Sequence, residues 1–78
     1  MNNKILVTIY IPLLDESYDI FIPVNKKVGT IKKTVLESIR NLENKSYLLM
    51  NKSDCKVIDE NVYVKNSGIQ NGSKLILL

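Results

Sequence analysis

The chain ends in the stretch SGIQNGSKLILL, residues 67–78, in which a turn leads directly into an apolar strand. Asn71 and Gly72 tolerate the backbone angles of a tight turn, and four of the five residues from 74 to 78 are apolar. Such a strand must be sheltered from water, so we expect it to lie inside a sheet. We expect neither a flexible tail nor a glycine pair after Leu78.

Composition indicates one small globular domain spanning residues 1–78. The 78 residues are 45% hydrophobic with ordinary charge, and a chain of this length buries only about 60–65% of its unfolded surface. Cys55 is the single cysteine and there is no histidine. This excludes an intrachain disulfide, a histidine-bearing zinc site and histidine-based acid/base catalysis.

Charge and hydropathy predict a cytoplasmic protein. The net charge of +3 is spread over eleven basic and eight acidic residues, and the pairs Lys26-Lys27 and Lys32-Lys33 have no aromatic residues among them. We therefore expect no nucleic-acid partner, and a regulator acting through RNA or DNA is the least favoured alternative. Apolar runs are too short for direct membrane insertion, and the N-terminus lacks a signal-peptide pattern.

Two strands are predicted in the first third of the chain. Residues 4–11 alternate between two faces, as a strand requires, and Pro12 ends the pattern. A second strand is predicted over residues 18–24. Because Pro23 cannot donate a hydrogen bond to a neighbouring strand, we expect this strand at the edge of the sheet.

A helix is predicted from an N-cap at Thr30 to about Leu42, ending within residues 43–46. The apolar residues that recur at helical spacing are Ile31, Val35, Leu36, Ile39 and Leu42. The outer face is predicted to carry Lys32, Lys33, Glu37 and Arg40.

Short strands are predicted to complete the domain. They cover residues 47–50, 56–58 and 75–78, and Val62 and Val64 supply apolar anchors in the irregular segment before the last strand. The element order predicts an α+β fold, with four or five strands and one helix packed across one face of the sheet.

The element order and several short motifs resemble the β-grasp fold of ubiquitin-like proteins over almost the whole chain. Val64, Ile69 and Leu75 have the spacing of the apolar anchors around the last loop and strand, and Thr30-Ile31 resembles the family's helix start. The resemblance implies a mixed sheet. Three further motifs are most similar to the small bacterial YukD/EsaB proteins that accompany type VII secretion systems. They are Tyr18-Asp19-Ile20 with Pro23, the helical residues 35–39, and the turn at residues 68–72.

The resemblance leaves two classes of function open. YukD/EsaB-type proteins are accessory or regulatory components without a conjugation tail, which implies a non-conjugated protein-interaction module whose partner is a cytosolic domain of a secretion-machine component. Ubiquitin-like modifiers and sulfur carriers instead act through a flexible C-terminal diglycine. The alternative is therefore a modifier or sulfur carrier whose diglycine tail is absent from this chain.

Strand alternation also predicts an apolar sheet face that the helix does not cover. The helix side is predicted to carry Ile5, Val7, Ile9, Ile20, Ile22, Leu49, Leu75 and Leu77. The opposite side is predicted to carry Leu6, Thr8, Tyr10, Phe21, Leu48, Ile76 and Leu78. Uncovered sheet faces are usually polar, and apolar patches of several hundred square ångströms mark contact surfaces.

The candidate protein-interaction residues are the apolar members of this opposite side: Leu6, Tyr10, Phe21, Leu48, Ile76 and Leu78. The expected occupant is a protein partner or a second copy in a homodimer. Two alternatives remain: scattered apolar residues without a role, or a register shifted by one residue that turns Leu48 inward and Tyr47 and Leu49 outward.

No catalytic constellation is visible in the sequence, and we expect neither enzyme activity nor a cofactor or metal. Cys55 lies between Asp54 and Lys56 without the base and oxyanion site that a nucleophile requires. The acidic pairs Asp15-Glu16 and Asp59-Glu60 lie in turns. The few glycines fit turn geometry better than a phosphate-binding loop.

Overall fold

The computed structural model describes residues 3–39 and 46–78. The elements are β1 (Lys4–Ile11), β2 (Glu16–Pro23), α1 (Val28–Ser38), β3 (Leu49–Asn51), β4 (Lys56–Val57), a 3-10 helix (Val64–Asn66) and β5 (Lys74–Leu77). The predicted bounds of β1 are confirmed. The other strands are each displaced by one to two residues from the predicted ranges.

The five strands form one mixed sheet in the order β2-β1-β5-β3-β4. β1 and β5 run parallel, with Ile9 opposite Leu75, and the other pairings are antiparallel. The apolar C-terminal strand is therefore central, as its sequence predicts. β2 lies at an edge, which confirms the position inferred from Pro23.

The core lies between the sheet and α1. Among the described residues, the largest fully buried side chains are Val7, Ile9, Ile11, Val28, Val64, Leu75 and Leu77. Each fully buried aliphatic side chain of this kind contributes about 1.5–3 kcal/mol relative to an exposed one. Ile69 is also buried, so Val64, Ile69 and Leu75 are all core residues.

The helix begins two residues before the predicted N-cap, so the prediction of Thr30 as the cap is wrong. Lys27 is the residue that precedes α1, and it makes no side-chain capping bond. The first N–H groups donate instead to carbonyls of a distant loop, Val28 to Val62 at 2.9 Å and Gly29 to Glu60 at 3.0 Å. These carbonyls satisfy the groups that a capping side chain would otherwise bind.

α1 ends at Ser38, before the predicted end near Leu42. Ile39 has extended backbone, and its N–H closes the last turn on the carbonyl of Val35 at 3.1 Å. The Ile39 side chain packs partly buried against the core. Arg40, Leu42 and the predicted helix end at residues 43–45 lie outside the described residues.

Lys32 is not a simple outer-face residue, which corrects a further prediction. Its side chain is 17% exposed, and its Nζ donates to Glu60 Oε2 at 2.6 Å and to the carbonyl of Tyr47 at 2.8 Å. The lysine thereby joins α1 to the loop before the 3-10 helix and to the chain entering β3. Lys33 and Glu37 are exposed, as predicted.

The turn before β5 fixes that strand against β1. Gly72 has φ +87°, which favours glycine, and the N–H of Ser73 donates to the carbonyl of Gln70 at 2.9 Å. The Asn71 side chain accepts the N–H of Leu6 at 2.8 Å, and the N–H of Gly72 donates to the carbonyl of Leu6 at 2.7 Å. These bonds set the register in which β5 lies beside β1.

Candidate protein-binding face

The sheet face away from α1, here called the open face, carries all seven residues predicted for it. Leu6, Thr8 and Tyr10 alternate with buried residues of β1, and Ile76 alternates with Leu75 and Leu77 of β5. Tyr47 and Leu49 are buried while Leu48 is 50% exposed, so the alternative with a shifted third strand is wrong.

One row of apolar residues crosses four strands of the open face. Tyr10 of β1 is opposite Ile76 of β5, Ile76 is opposite Met50 of β3, and Met50 is opposite Val57 of β4. Directly opposed residues project to the same side of a sheet. Met50 and Val57 therefore belong to the open face, although the sequence analysis did not select them.

The row continues into a second apolar pair at the end of the sheet. Leu48 and Leu78 exchange two backbone hydrogen bonds, at 2.7 and 2.8 Å, and both side chains are about half exposed. These residues together are called the apolar end of the open face: Tyr10, Leu48, Met50, Val57, Ile76 and Leu78.

A polar belt separates the apolar end from the other predicted interaction residues. Thr8 is opposite Asp19 on one side and Lys74 on the other, and its Oγ1 donates to Asp19 Oδ1 at 2.7 Å. Beyond this belt, Leu6 is opposite Phe21, which is 64% exposed. The six predicted residues thus form two groups, since Leu6 and Phe21 are separated from the other four.

A shallow hollow of about 420 Å³ lies where the polar belt meets the apolar end. It is lined by Thr8, Tyr10, Ser17, Lys52, Lys74, Leu75 and Ile76. Within residues 3–39 and 46–78, no ion pair joins Lys52 or Lys74 to a carboxylate. The hollow therefore combines an apolar floor with two exposed ammonium groups.

Tyr10 is fixed on this face by the turn between β1 and β2. Its hydroxyl donates to Asp15 Oδ1 at 2.9 Å, and Asp15 has a positive φ of 51°. The hydrogen bond to Asp15 raises the pKa of Tyr10, with smaller effects of burial and of the carboxylate charge. The phenol is therefore neutral at physiological pH. On the helix side, the hydrogen bond to Glu16 likewise raises the pKa of Tyr18.

The acidic residues that the sequence presents as pairs serve local structure. Asp15 and Glu16 accept bonds from Tyr10 and Tyr18, Asp59 accepts the N–H of Asn61 at 2.8 Å, and Glu60 binds Lys32. Within the part of the chain that the structure describes, no group of three or more potential metal ligands occurs.

Cys55 is exposed in the turn between β3 and β4, with φ 56° and its Sγ 3.8 Å from the carbonyl oxygen of Lys52. None of the described helices is long and apolar enough to span a membrane.

Solved structures place this architecture in a known fold. A chain from a structure titled "Molecular Mimicry of SUMO promotes DNA repair" matches with a TM-score of 0.84 at 14% identity, covering 100% of this chain and 94% of that one. The ubiquitin-like domain of an Arabidopsis thaliana protein matches with a TM-score of 0.78 at 18% identity, covering 99% and 78%. The fold is the ubiquitin-like β-grasp.

A third match comes from the ESX-5 inner membrane complex, in its MycP5-free state. The TM-score is 0.82 at 11% identity, and the match covers 99% of this chain but only 21% of the ESX-5 chain. No protein-family model and no curated protein matches the sequence. At these identities, the structural matches establish the fold of this chain and nothing more specific.

Proposed function

We propose that this protein is a non-conjugated bacterial ubiquitin-like interaction module without catalytic activity, located in the cytoplasm. In this proposal it binds a protein partner through the open face and serves as an accessory or regulatory component of a type VII secretion system. The partner is a cytosolic domain of a secretion-machine component.

The apolar end of the open face is the observation that carries the proposal. Four of its six residues are at least 36% exposed, Tyr10, Leu48, Val57 and Leu78, and they lie on one side of one sheet. An uncovered antiparallel face is ordinarily polar, and contiguous exposed apolar surface generally marks a contact site. A rigid sheet also loses little conformational entropy when it binds, which favours affinity.

The hollow beside the apolar end adds a requirement on the partner. Lys52 and Lys74 present ammonium groups next to Tyr10 and Ile76. A partner with apolar side chains at its centre and a carboxylate at the rim would complement this arrangement, because rim charges steer association and select against partners of the wrong charge.

The assignment to type VII secretion has two supports. The first is the similarity of the short motifs at residues 18–23, 35–39 and 68–72 to YukD/EsaB proteins. The second is the structural similarity to part of a chain in the ESX-5 inner membrane complex. This second support concerns the fold, and it makes a secretion-machine component the first partner to test.

Affinity capture from native bacterial lysate tests the proposal. Wild-type bait is expected to recover a component of the secretion machinery, and Leu48→Asp is expected to lose it. Tyr63→Asp is the matched control, because Tyr63 is 43% exposed but is not part of the open face. Recovery of the same component by Leu48→Asp and wild type would contradict binding through the open face.

The intact mass of the native protein separates the proposal from the modifier or carrier alternative. A mass that corresponds to a chain without a C-terminal diglycine supports the interaction module. A mass that requires a diglycine extension would overturn it in favour of a modifier or sulfur carrier. Sedimentation of the purified protein tests the homodimer, since a dimer lost in Leu48→Asp would make a second copy the occupant of the open face.

A further inference from the structure

One end of the domain gathers lysines from three separate segments of the chain. Lys4 lies opposite Pro23 where β1 begins. The residues between β2 and α1 include Lys26 and Lys27, and the 3-10 helix contains Lys65. All four lysines are exposed. We call this set the basic end: Lys4, Lys26, Lys27 and Lys65.

The 3-10 helix brings three of these lysines together. The N–H of Val64 donates to the carbonyl of Lys26 at 2.9 Å, and Lys27 forms an antiparallel bridge with Tyr63. The ammonium group of Lys65 lies 5.9 Å from the centre of the Tyr63 ring. Residues that are far apart in the sequence therefore form one positively charged surface.

Few carboxylates offset this charge. No aspartate or glutamate occurs in the three segments that supply the basic end, residues 1–14, 20–36 and 61–78. In the part of the chain that the structure describes, no carboxylate pairs with Lys26, Lys27 or Lys65. Of the two acids in the loop before the 3-10 helix, Glu60 is held in an ion pair with α1, and only Asp59 opposes the lysines.

The hairpin of β1 and β2 separates the basic end from an acidic turn. Lys4 is opposite Pro23 at one end of the hairpin, and Ile11 is opposite Glu16 at the other, beside Asp15. The seven residue steps between these ends span about 24 Å, at about 3.4 Å per residue. The Debye length at physiological salt is about 8 Å, so the acids of the turn do not neutralise the lysines.

The chemistry of the basic end favours a diffuse anionic surface over a folded protein or a nucleic acid. Its cations are all lysines, which are flexible point charges, whereas fixed carboxylate or phosphate groups are best matched by the planar fork of arginine. Tyr63 is the only large apolar side chain exposed within residues 23–27 and 62–66, so a protein partner finds no apolar centre there. The Lys65 ammonium covers one face of the Tyr63 ring, which hinders base stacking.

We propose that the basic end docks this protein, without insertion, on a bilayer surface rich in anionic phospholipid. Each lysine near such a surface contributes about fivefold to affinity. This attraction acts over about a Debye length, so mobile lysines do not require headgroups at fixed positions. Tyr10 and the rest of the apolar end of the open face lie toward the other end of β1 and remain accessible. The proposal goes beyond the proposed function and does not depend on it.

Sedimentation with lipid vesicles tests the proposal. The full chain is expected to sediment with vesicles of equal parts phosphatidylglycerol and phosphatidylcholine, and to stay in solution with phosphatidylcholine alone. Binding is expected to weaken at least about tenfold between about 0.1 M and about 1 M salt, because the Debye length shortens from about 10 to about 3 Å. Equal sedimentation with both vesicles would overturn the proposal. Binding of duplex DNA or polyglutamate instead of the vesicles would exclude the membrane as the occupant.

Lys65→Gln and Lys56→Gln remove the same charge from different parts of the surface. Lys56 is exposed in β4, at the opposite edge of the sheet from β2. Lys65→Gln is expected to bind the phosphatidylglycerol vesicles about fivefold more weakly than wild type, whereas Lys56→Gln is expected to bind within about twofold of wild type. Equal losses in the two variants would show a response to net charge alone and would contradict docking through the basic end.

Tyr63→Asp and Leu48→Asp separate this proposal from the proposed function. Both side chains are exposed, and each substitution adds one carboxylate, beside Lys27 and Lys65 in the first case and on the open face in the second. Tyr63→Asp is expected to weaken vesicle binding about fivefold and to retain the protein partner. Leu48→Asp is expected to lose the partner and to bind vesicles within about twofold of wild type. Unchanged vesicle binding by Tyr63→Asp would contradict membrane docking and would leave the open-face proposal intact.

Discussion

Leu48 and Leu78 are joined by two backbone hydrogen bonds, Leu48 N–H to Leu78 O at 2.7 Å and Leu78 N–H to Leu48 O at 2.8 Å. Their side chains leave the sheet on the same side and are about half exposed. The adjacent Leu49 and Leu77 point into the core and are almost fully buried. Neighbouring leucines where β3 begins and β5 ends thus face solvent and core separately.

The paired substitutions Leu48→Ala and Leu49→Ala test this separation. Leu49→Ala is expected to lower the free energy of unfolding by about 2–5 kcal/mol, because it leaves a cavity in the core. Leu48→Ala is expected to change it by less than about 0.5 kcal/mol, as is usual for surface substitutions. Urea unfolding monitored by circular dichroism measures both values, and equal losses would show that Leu48 is a core residue.

Gly29→Ala is expected to destabilise the protein although alanine favours helix. A Cβ at Gly29 would lie 3.2 Å from Glu60 O, the oxygen that accepts the Gly29 N–H. Crowding of this kind costs about 1–3 kcal/mol, and over most of that range the cost exceeds the gain of about 1 kcal/mol in helix propensity. Thermal unfolding checks the sign, with Lys33→Ala on the exposed face as control. A higher melting temperature for Gly29→Ala would contradict the close approach of helix and loop.

Lys32→Met is expected to cost about 1–3 kcal/mol, because the Tyr47 carbonyl loses the ammonium group that donates to it. Lys33→Met, one residue away and exposed, is the matched control and is expected to change stability by less than about 0.5 kcal/mol. Glu60→Gln should cost less than Lys32→Met, since Glu60 is 37% exposed and solvent screens the ion pair. Similar urea midpoints for Lys32→Met and Lys33→Met would show that Lys32 contributes nothing beyond an ordinary surface lysine.

The hydrogen bond from Tyr10 to Asp15 predicts a pH dependence on the alkaline side. The folded state holds the pKa of Tyr10 above its ordinary value near 10, so the bond stabilises the protein below that pH. The stabilisation is lost as the pH rises through the raised pKa. Ultraviolet titration of the phenols should show one ionisation that moves to lower pH in Asp15→Asn and disappears in Tyr10→Phe. An unchanged titration in Asp15→Asn would exclude the bond in solution.

Local sequence patterns predict the strands and many of the residues that lie on the open face. β1 was predictable to the residue because its alternation is regular and Pro12 ends it. The outward direction of Leu6, Tyr10, Leu48, Ile76 and Leu78 followed from the same alternation. Phe21 was also placed on the correct face. The sequence did not show that the polar belt separates Phe21 and Leu6 from the apolar end.

The features that the sequence missed depend on residues far apart in the chain. The predicted start of α1 was wrong because the carbonyls of Val62 and Glu60 accept the hydrogen bonds that a capping side chain would otherwise accept. No local sequence motif indicates these distant acceptors. Val57 was missed because its side depends on the register between β3 and β4, whereas Met50 follows Leu48 in the same alternation and was predictable from it. Lys32 was placed outside because helical period alone does not reveal the loop that packs over it.

The affinity of the proposed secretion-machine partner, once purified, for wild type and two variants tests the central claim most directly. Calorimetry is expected to show Leu48→Asp binding at least about thirtyfold more weakly, the loss typical of a central interface residue. Tyr63→Asp is expected to bind within about twofold of wild type, since a residue outside the interface has little effect on affinity. Equal affinities for wild type and Leu48→Asp, with both proteins folded by circular dichroism, would contradict binding through the open face.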